Sequence, residues 1–194
     1  MKHIDTLISR YPVLAPLRES IVQAVKMIED MHFSGGKLLL CGNGGSAADC
    51  EHISGELLKS FLLPRPQHIS GFEKLQGGIA AIPLPSLSAL ISAFSNDVAP
   101  ELVYAQLTNV LAAENDVLFC ISTSGNSKNV VLAAHLAKIK NIKTIALTGR
   151  DGGELKQLCT ACICVPENET FKVQELHLPV YHAICAQCEE DIFG

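Results

Sequence analysis

The spacing of the apolar residues changes near residue 36 of the chain. Before that point they recur every three or four positions, as at Ile21, Val25 and Ile28, which predicts amphipathic helices. After it they occur in short continuous runs. We therefore predict a helical arm at 1–35, which packs on the rest of the chain or on a partner chain, and a second unit at 36–194.

The second unit alternates short apolar runs with helical patterns. The apolar runs lie at 37–41, 78–82, 116–121, 143–147 and 161–165. Helical patterns separate them near 46–61, 87–113, 127–140 and 152–158, and a last one covers 170–190. Continuous apolar strands joined by helices are typical of a parallel sheet that is covered on both faces. The fold is therefore predicted to be α/β, with ligands bound outside the carboxyl ends of the strands.

A long polar stretch at 62–78 interrupts this alternation. It contains two prolines together with Gly71, Gly77 and Gly78. Loops of this length inside compact domains are often functional. The pattern fits a lid over a binding site and a plain surface excursion equally well.

Composition and charge exclude several classes of protein. The 194 residues are 48% hydrophobic and carry a formal net charge of −5, whereas general nucleic-acid binding usually needs a basic face. No apolar run reaches membrane-spanning length, and the polar start of the chain forms no secretory signal. We expect a cytoplasmic protein without nucleic-acid or membrane partners.

Eight cysteines include two C-x-x-C pairs, at 159/162 and 185/188. Their combined spacing imitates a zinc ribbon. However, Cys162 and Cys164 flank an isoleucine in a strand-like run, and Cys185 and Cys188 are one helical turn apart. Thiols among apolar neighbours behave as small hydrophobic groups. We therefore interpret most of the cysteines as core residues rather than metal ligands.

Two strand-to-helix turns carry glycine and hydroxyl residues that suit an anion. The first runs from Cys41 to Ser46 and the second from Ser122 to Ser127, each directly after a predicted strand. Free N–H groups at a helix N-terminus favour an anion such as phosphate, although Ser46 and Ser127 are also ordinary helix caps. The second turn is the stronger phosphate candidate, because its four hydroxyl residues exceed what a cap needs.

Polar residues in two predicted helices suit acid–base chemistry or a metal. His52 and Glu56 are four positions apart, so they share one helix face. Gln174, His177 and His182 lie in the last helix, and imidazole, carboxylate and amide groups are all zinc ligands by type. Gln174 and His182 would be about 12 Å apart on a straight helix, so one metal takes both only if the helix bends or two subunits contribute. Without a metal, His52 and Glu56 would be part of an exposed polar helix face, and His182 would be a buried histidine with its hydrogen bonds satisfied.

Several motifs then follow one another in a distinctive order. They are Cys41–Asp49 (CGNGGSAAD), His52-x-x-x-Glu56, Asn96-Asp97, Ile121–Ser127 (ISTSGNS), Leu147-Thr148-Gly149 and Gln174-Glu175-x-His177. In this order they resemble the phosphoheptose isomerase family of the SIS (sugar isomerase) fold group, from about residue 20 to residue 190. The resemblance implies a three-layer α/β/α sandwich with a five-stranded parallel sheet, and N-terminal helices that build a homotetramer.

The resemblance also implies a reaction. It is the interconversion of D-sedoheptulose 7-phosphate and D-glycero-D-manno-heptose 7-phosphate, which leads to bacterial nucleotide-heptoses for lipopolysaccharide or capsule. A proton moves between C1 and C2 through an enediol, which requires a base at carbon and an acid–base group at oxygen. We assign Glu56 as the base and His182 as the group that serves the oxygens.

The binding residues of the family fall on matching positions of this sequence. Substrate contacts are implied at Asn43, Gly44, Gly45, Glu56, Asn96, Asp97, Ser122, Thr123, Ser124, Ser127 and Gln174. Zinc ligands are implied at His52, Glu56, Gln174 and His182, and zinc would polarise the substrate carbonyl. Active sites in the family lie at subunit contacts, so Gln174 and His182 of different subunits could bind the same zinc ion.

One departure from the family pattern concerns a basic residue. Many members have Gly-Arg-Phe where this chain has Lys59-Ser60-Phe61. The contact of that arginine must come from elsewhere, and Lys59, Arg65 and His68 are the candidates. The departure also leaves open that the sugar differs within this subgroup.

Two other functions share the same fold. A tetrameric binding protein that resembles the DnaA initiator-associating protein would need the fold but not both Glu56 and His182. Sugar-phosphate lyases and sugar-phosphate-binding regulators with SIS domains are usually longer or carry a DNA-binding module. We therefore favour the isomerase.

Overall fold

The computed structural model describes all residues 1–194 and contains one five-stranded sheet. Its strands are β1 (Leu38–Cys41), β2 (Ala81–Pro83), β3 (Val117–Ser122), β4 (Lys143–Thr148) and β5 (Ala161–Cys164). They lie in the order β2-β1-β3-β4-β5, and every neighbouring pair is parallel. The strand order reverses between β1 and β3, and open α/β sheets bind ligands at such a point.

Eight helices surround the sheet. They are α1 (Lys2–Arg10), α2 (Arg18–Phe33), α3 (Gly45–Leu58), α4 (Ser88–Asp97), α5 (Val103–Leu111), α6 (Lys128–Ile139), α7 (Leu155–Leu158) and α8 (Thr170–Phe193), with 3₁₀ turns at Pro12–Leu17, Leu84–Ser86 and Pro100–Leu102. The single helical pattern predicted at 87–113 is therefore wrong. Ala99 is extended because it precedes Pro100, and this separates α4 from α5. None of the helices combines the length and the apolar character needed to cross a membrane.

Alternate residues of each strand face two separate cores. Leu38 and Leu40 of β1 pack with residues of α1, α2, α3 and α8, whereas Leu39 and Cys41 pack with residues of α5 and α6. Both faces of the sheet are covered in this way, which explains why the strands are uninterrupted apolar runs. The predicted three-layer α/β/α sandwich with a parallel sheet is confirmed.

The first 35 residues pack on the rest of their own chain. Ile4 of α1 and Ile21, Val25 and Ile28 of α2 are buried in the same core as α8. The helical arm thus contributes to the main core of the chain.

Most of the cysteines are core residues, as predicted. Cys41, Cys50, Cys120, Cys185 and Cys188 are buried within the two cores. The other three, Cys159, Cys162 and Cys164, are half-buried near the edge strand β5.

Candidate active site

The two predicted phosphate turns lie side by side at the carboxyl ends of the neighbouring strands β1 and β3. Gly44 immediately precedes α3 with φ 55°, and Gly125 lies in the second turn with φ 67°, a left-handed conformation that favours glycine. A Cβ on Gly125 would collide with the carbonyl group of Gly152. The N-termini of α3 and α6 are thereby directed to one edge of the sheet, where their free N–H groups favour an anion.

A reciprocal pair of amide hydrogen bonds joins the two turns. Asn43 Nδ2 donates to Asn129 Oδ1 over 2.8 Å, and Asn129 Nδ2 donates to Asn43 Oδ1 over 2.9 Å. The Tyr104 hydroxyl also donates to the carbonyl oxygen of Gly42 over 2.6 Å. No local pattern in the sequence indicates a role for Asn129 or Tyr104, because only the strand order brings them to the first turn. Together they fix the two turns relative to each other.

Hydrogen bonds within the second turn leave one hydroxyl at the surface. The Oγ atoms of Ser122 and Ser127 are 2.9 Å apart. Ser124 is exposed, and its Oγ accepts from the Asn126 N–H over 3.1 Å. The carbonyl oxygen of Thr123 accepts from the Gly149 N–H over 2.9 Å. The Ser124 hydroxyl can therefore donate its proton to a ligand oxygen.

His52, Glu56 and His182 come together within one chain. His52 Nε2 lies 3.3 Å from Glu56 Oε1 and 3.3 Å from His182 Nε2, and the ligand atoms of the three residues all lie within 4.8 Å of one another. Two ligands of a tetrahedral zinc ion with bonds of about 2.0–2.1 Å are roughly 3.4 Å apart. The donors thus fit zinc in type, and two of the three distances between them match a tetrahedral site.

A hydrogen-bond chain orients the imidazole of His52. The Tyr181 hydroxyl lies 3.2 Å from Asp49 Oδ1 and 3.0 Å from His52 Nδ1. When Asp49 is ionised it can only accept, so Tyr181 donates to it and accepts from the Nδ1–H of His52. The lone pair of His52 then resides on Nε2, which faces Glu56 and His182. No local pattern in the sequence indicates this role for Asp49 or Tyr181.

His182 has the protonation state that a ligand or a base requires. Burial lowers the pKa of His182 below its ordinary value, and His52 acts in the same direction, while Glu56 opposes both. The ring also packs against Phe61, with the ring centroids 5.6 Å apart. A neutral imidazole at pH 7 can accept a proton or bind a metal.

A cavity of about 340 Å³ opens beside His182, between α1 and α8. This volume is within the range of small-ligand sites. Arg10, Tyr11 and Glu175 are among its lining residues. Arg10 is therefore a basic residue in the same cavity as His182. It could not be identified from the sequence, since more than 170 positions separate the two residues in the chain.

Gln174 does not join the histidine cluster within this chain. Its side-chain amide packs on Gly45, where a Cβ would collide with Nε2 of Gln174. Since a helix rises 1.5 Å per residue, Gly45 is roughly 10 Å along α3 from His52. Gln174 therefore lies beside the first phosphate turn, and its predicted role as a zinc ligand requires a second subunit.

Asn96 and Asp97 lie at the exposed end of α4. Asn96 Nδ2 donates to Asp97 Oδ1 over 2.8 Å, and no hydrogen bond joins either side chain to the two turns. The helix itself has no buried residue. Their predicted contact with the substrate remains a prediction.

Arg65 cannot replace the missing family arginine, so this prediction is wrong. Its side chain and that of Glu189 are fully buried, and Nε donates to Glu189 Oε1 over 2.7 Å. Its other nitrogens donate to the carbonyl oxygens of Leu57 over 2.7 Å and Glu56 over 3.2 Å. Arg65 thus satisfies carbonyl groups at the end of α3 instead of facing a ligand. Lys59 is exposed, with its Nζ 3.9 Å from Glu56 Oε2, and is closer to the cluster.

His177, which lies in the Gln-Glu-x-His motif, makes the stability of the fold sensitive to acid. The ring is fully buried, and burial lowers its pKa from 6.5 to about 4. As the pH falls from about 6.5 towards 4, the unfolded chain binds a proton that the folded chain excludes, so the free energy of unfolding falls. The loss from this residue approaches about 3 kcal/mol near pH 4.

Urea unfolding of wild type and His177→Leu at pH 7.5 and 4.5, with chelator present, tests this expectation. The wild type should lose more stability between the two pH values than the variant does, by about 2 kcal/mol. Equal losses in the two proteins would contradict the assignment.

The chain is similar in sequence and in fold to known proteins. A family model described as "SIS domain" matches residues 9–149. A phosphoheptose isomerase of Akkermansia muciniphila is 36% identical over 184 residues, covering 95% of this chain and 92% of the relative. Phosphoheptose isomerase 2 of Campylobacter jejuni is 42% identical over 161 residues, covering 83% and 75%. The solved structure of a phosphoheptose isomerase from Neisseria gonorrhoeae superposes with a TM-score of 0.76 at 32% identity, covering 96% of this chain and 93% of that one.

Proposed function

This chain belongs to the phosphoheptose isomerases of the SIS-domain family, and from that premise we propose that Glu56 and His182 perform its proton transfers. The enzyme is an aldose–ketose isomerase that interconverts D-sedoheptulose 7-phosphate and D-glycero-D-manno-heptose 7-phosphate. The observation that carries the proposal is the grouping of His52, Glu56 and His182 within 4.8 Å. His52 and Glu56 lie on α3, the helix that begins at the first phosphate turn, and His182 lies on α8. A binding protein without catalysis would have no need of this grouping.

The phosphate group is bound at the carboxyl ends of the neighbouring strands β1 and β3. The N–H groups at the starts of α3 and α6 point to these strand ends, and the Ser124 hydroxyl is exposed there. Thr123, Ser127 and the Gln174 amide complete the proposed contacts. Holding the phosphate at one end of the sugar leaves C1 and C2 to reach the acid–base residues.

Glu56 moves the proton on carbon, and His182 moves protons on oxygen. The Glu56 carboxylate removes a proton from C1 of the ketose and returns it to C2, so the same residue serves both directions. The neutral His182 imidazole accepts the proton of the hydroxyl and donates it to the carbonyl oxygen. The ammonium nitrogen of Lys59 lies 3.9 Å from Glu56 Oε2.

A zinc ion belongs to the proposal, and His52, Glu56 and His182 would hold it. Glu56 and His182 would have to be partly released from it during turnover, because an atom that coordinates zinc cannot also accept a proton. When bound, zinc polarises the substrate carbonyl as a Lewis acid. We propose a homotetramer in which Gln174 of a neighbouring copy completes the ligand set. Support comes from α4, which has no buried residue and exposes the apolar Leu90. We further propose a cytoplasmic role in making nucleotide-heptose for surface polysaccharide.

The test of this proposal is a conversion assay on the purified protein. With zinc present, sedoheptulose 7-phosphate should be converted to the aldose, and NMR identifies the product. Treatment with a chelator should abolish conversion and added zinc should restore it. Conversion that is indifferent to the chelator would contradict the zinc assignment, and no conversion in any condition would contradict the function.

Replacing Tyr181 by phenylalanine should weaken zinc binding about 10- to 100-fold, the usual effect of losing an outer-shell partner of a ligand histidine. The variant lacks the hydroxyl that keeps the proton of His52 on Nδ1, so the lone pair no longer stays on Nε2. Competition with a chromophoric chelator measures the affinity. Tyr11→Phe is the matched control, and equal affinity in all three proteins would show that Tyr181 does not orient His52.

A further inference from the structure

Two thiols lie side by side on the edge strand β5, away from the acid–base cluster. Cys162 and Cys164 are two positions apart, so their side chains project from the same face of the strand. Their Sγ atoms are 3.5 Å apart, and both residues are half-buried. β5 is the last strand of the sheet and pairs only with β4. The pair is thus accessible from solvent and lies on a strand with one free edge.

The surroundings of the two thiols make them chemically unequal. The hydrogen bond from Cys162 lowers the pKa of Cys164 to about 6. Thr148 and Lys156 act in the same direction, while burial and Asp151 oppose them. The hydrogen bond with Cys164 and burial raise the pKa of Cys162. Since the thiolate is the reactive form of cysteine, Cys164 is the nucleophile of the pair at neutral pH.

A second thiol pair in the same chain is more deeply buried than Cys162 and Cys164. Cys41 and Cys120 lie opposite each other on β1 and β3, with Sγ atoms 3.8 Å apart. Both side chains have no exposed surface, so an oxidant in solution does not reach them. The distance between the sulfur atoms therefore does not distinguish the two pairs. They differ in whether a dissolved oxidant can reach the thiols and in whether one thiol is ionised at neutral pH.

We propose that Cys162 and Cys164 are a peroxide-reactive dithiol that closes reversibly to a disulfide. In the first step the Cys164 thiolate attacks hydrogen peroxide; the O–O bond breaks, Cys164 becomes a sulfenic acid and hydroxide leaves. In the second step Cys162 loses its proton and attacks the sulfenic sulfur, which forms the S–S bond and releases hydroxide. The two protons lost by the thiols and the two hydroxides make two waters. This chemistry does not depend on the isomerase reaction.

Reversibility follows from the strand geometry. Residues two apart on a strand have Cα atoms about 6.6 Å apart, at the upper end of the range of about 4.4–6.8 Å that disulfides span. Closure must therefore pull the two residues towards each other. A disulfide formed under such strain is easily reduced, so a dithiol reductant should reopen it.

Closure should also loosen the second phosphate turn. Cys164 pairs with Thr148 in the sheet, and the next residue, Gly149, donates its N–H to Thr123. Cys164 also packs on Gly152, where a Cβ would lie 2.9 Å from its Sγ, and Gly152 in turn contacts Gly125. A shift of Cys164 is thus transmitted to two positions within the turn, Thr123 and Gly125.

Peptide masses after peroxide treatment test the dithiol directly. Trypsin releases residues 157–172, which contain Cys159, Cys162 and Cys164. In wild type and Cys159→Ser this peptide should lose two hydrogens, about 2 Da, and regain them with dithiothreitol. Cys162→Ser and Cys164→Ser should show no such loss, and Cys162→Ser should accumulate a dimedone adduct at Cys164. A bridge that forms in Cys162→Ser or Cys164→Ser, or is lost in Cys159→Ser, would overturn the proposal, as would its absence from wild type.

Hydrogen exchange tests the connection to the phosphate turn. Amides of residues 122–127 should exchange faster in the oxidised wild type than in the reduced protein. Cys164→Ser treated in the same way is the control and should not change. Equal exchange in the oxidised and reduced wild type would overturn the connection, and bridge formation at Cys41–Cys120 would overturn the argument from burial.

Discussion

Replacing Glu56 by glutamine is expected to lower kcat by about 10²- to 10⁴-fold, the range that a general base contributes. The amide keeps the size of the side chain but no longer accepts a proton at neutral pH. Its oxygen can still bind the metal, so with saturating zinc the variant should retain its fold and most of its affinity for the sugar phosphate. Steady-state kinetics with the zinc content measured in parallel separates the loss of the base from a loss of metal.

Glu51→Gln is the matched control for this substitution. Glu51 lies on the same helix, is exposed, and accepts a hydrogen bond from Ser86 over 2.9 Å. The control should retain the kcat of the wild type. Full activity in Glu56→Gln, or equal losses in both variants, would mean that Glu56 is not the base.

The second large effect is expected from the buried pair of Arg65 and Glu189. Replacing Glu189 by leucine should lower the free energy of unfolding by about 3–5 kcal/mol, because Arg65 is then a buried charge without a partner. The Glu189 carboxylate also accepts the N–H groups of Phe61, Leu62 and Leu63, at 2.6–3.1 Å. Those donors lose their acceptor as well. Urea unfolding followed by circular dichroism measures the change.

Two controls make this result specific. Asp5→Asn breaks the exposed pair between Asp5 and Arg18 and should change stability by less than about 1 kcal/mol. The double variant Arg65→Met/Glu189→Leu removes both charges and should be more stable than Glu189→Leu alone. If Glu189→Leu is as stable as Asp5→Asn, the pair does not hold the end of α3.

The five strands could be predicted from the sequence because each coincides with a short apolar run. The central strands β1 and β3 are buried along their whole length. The boundaries of β2 were less accurate, since the apolar run begins at Gly78, whereas the strand begins at Ala81. Gly78 lies against the carbonyl of Leu58, where a Cβ would be 2.6 Å from the oxygen. That contact depends on tertiary packing and is not visible in a local pattern.

The candidate site could be predicted only where its residues follow a helical spacing or a family motif. His52 and Glu56 share a face of α3, and His182 meets them because α8 packs beside that helix. Arg65 was one of three candidates for the missing arginine contact, and the sequence could not exclude it because an arginine in a polar loop has every local sign of exposure. Its burial depends on Glu189, which lies 124 positions later in the chain.

The most direct test of the central claim is isomerisation of sedoheptulose 7-phosphate in D₂O, followed by NMR. If Glu56 exchanges the abstracted proton with solvent, the wild type should place deuterium at C2 of the aldose and C1 of the recovered ketose. Glu56→Gln should place none. Deuterium at these carbons in Glu56→Gln, placed there as fast as by the wild type, would contradict proton transfer through Glu56.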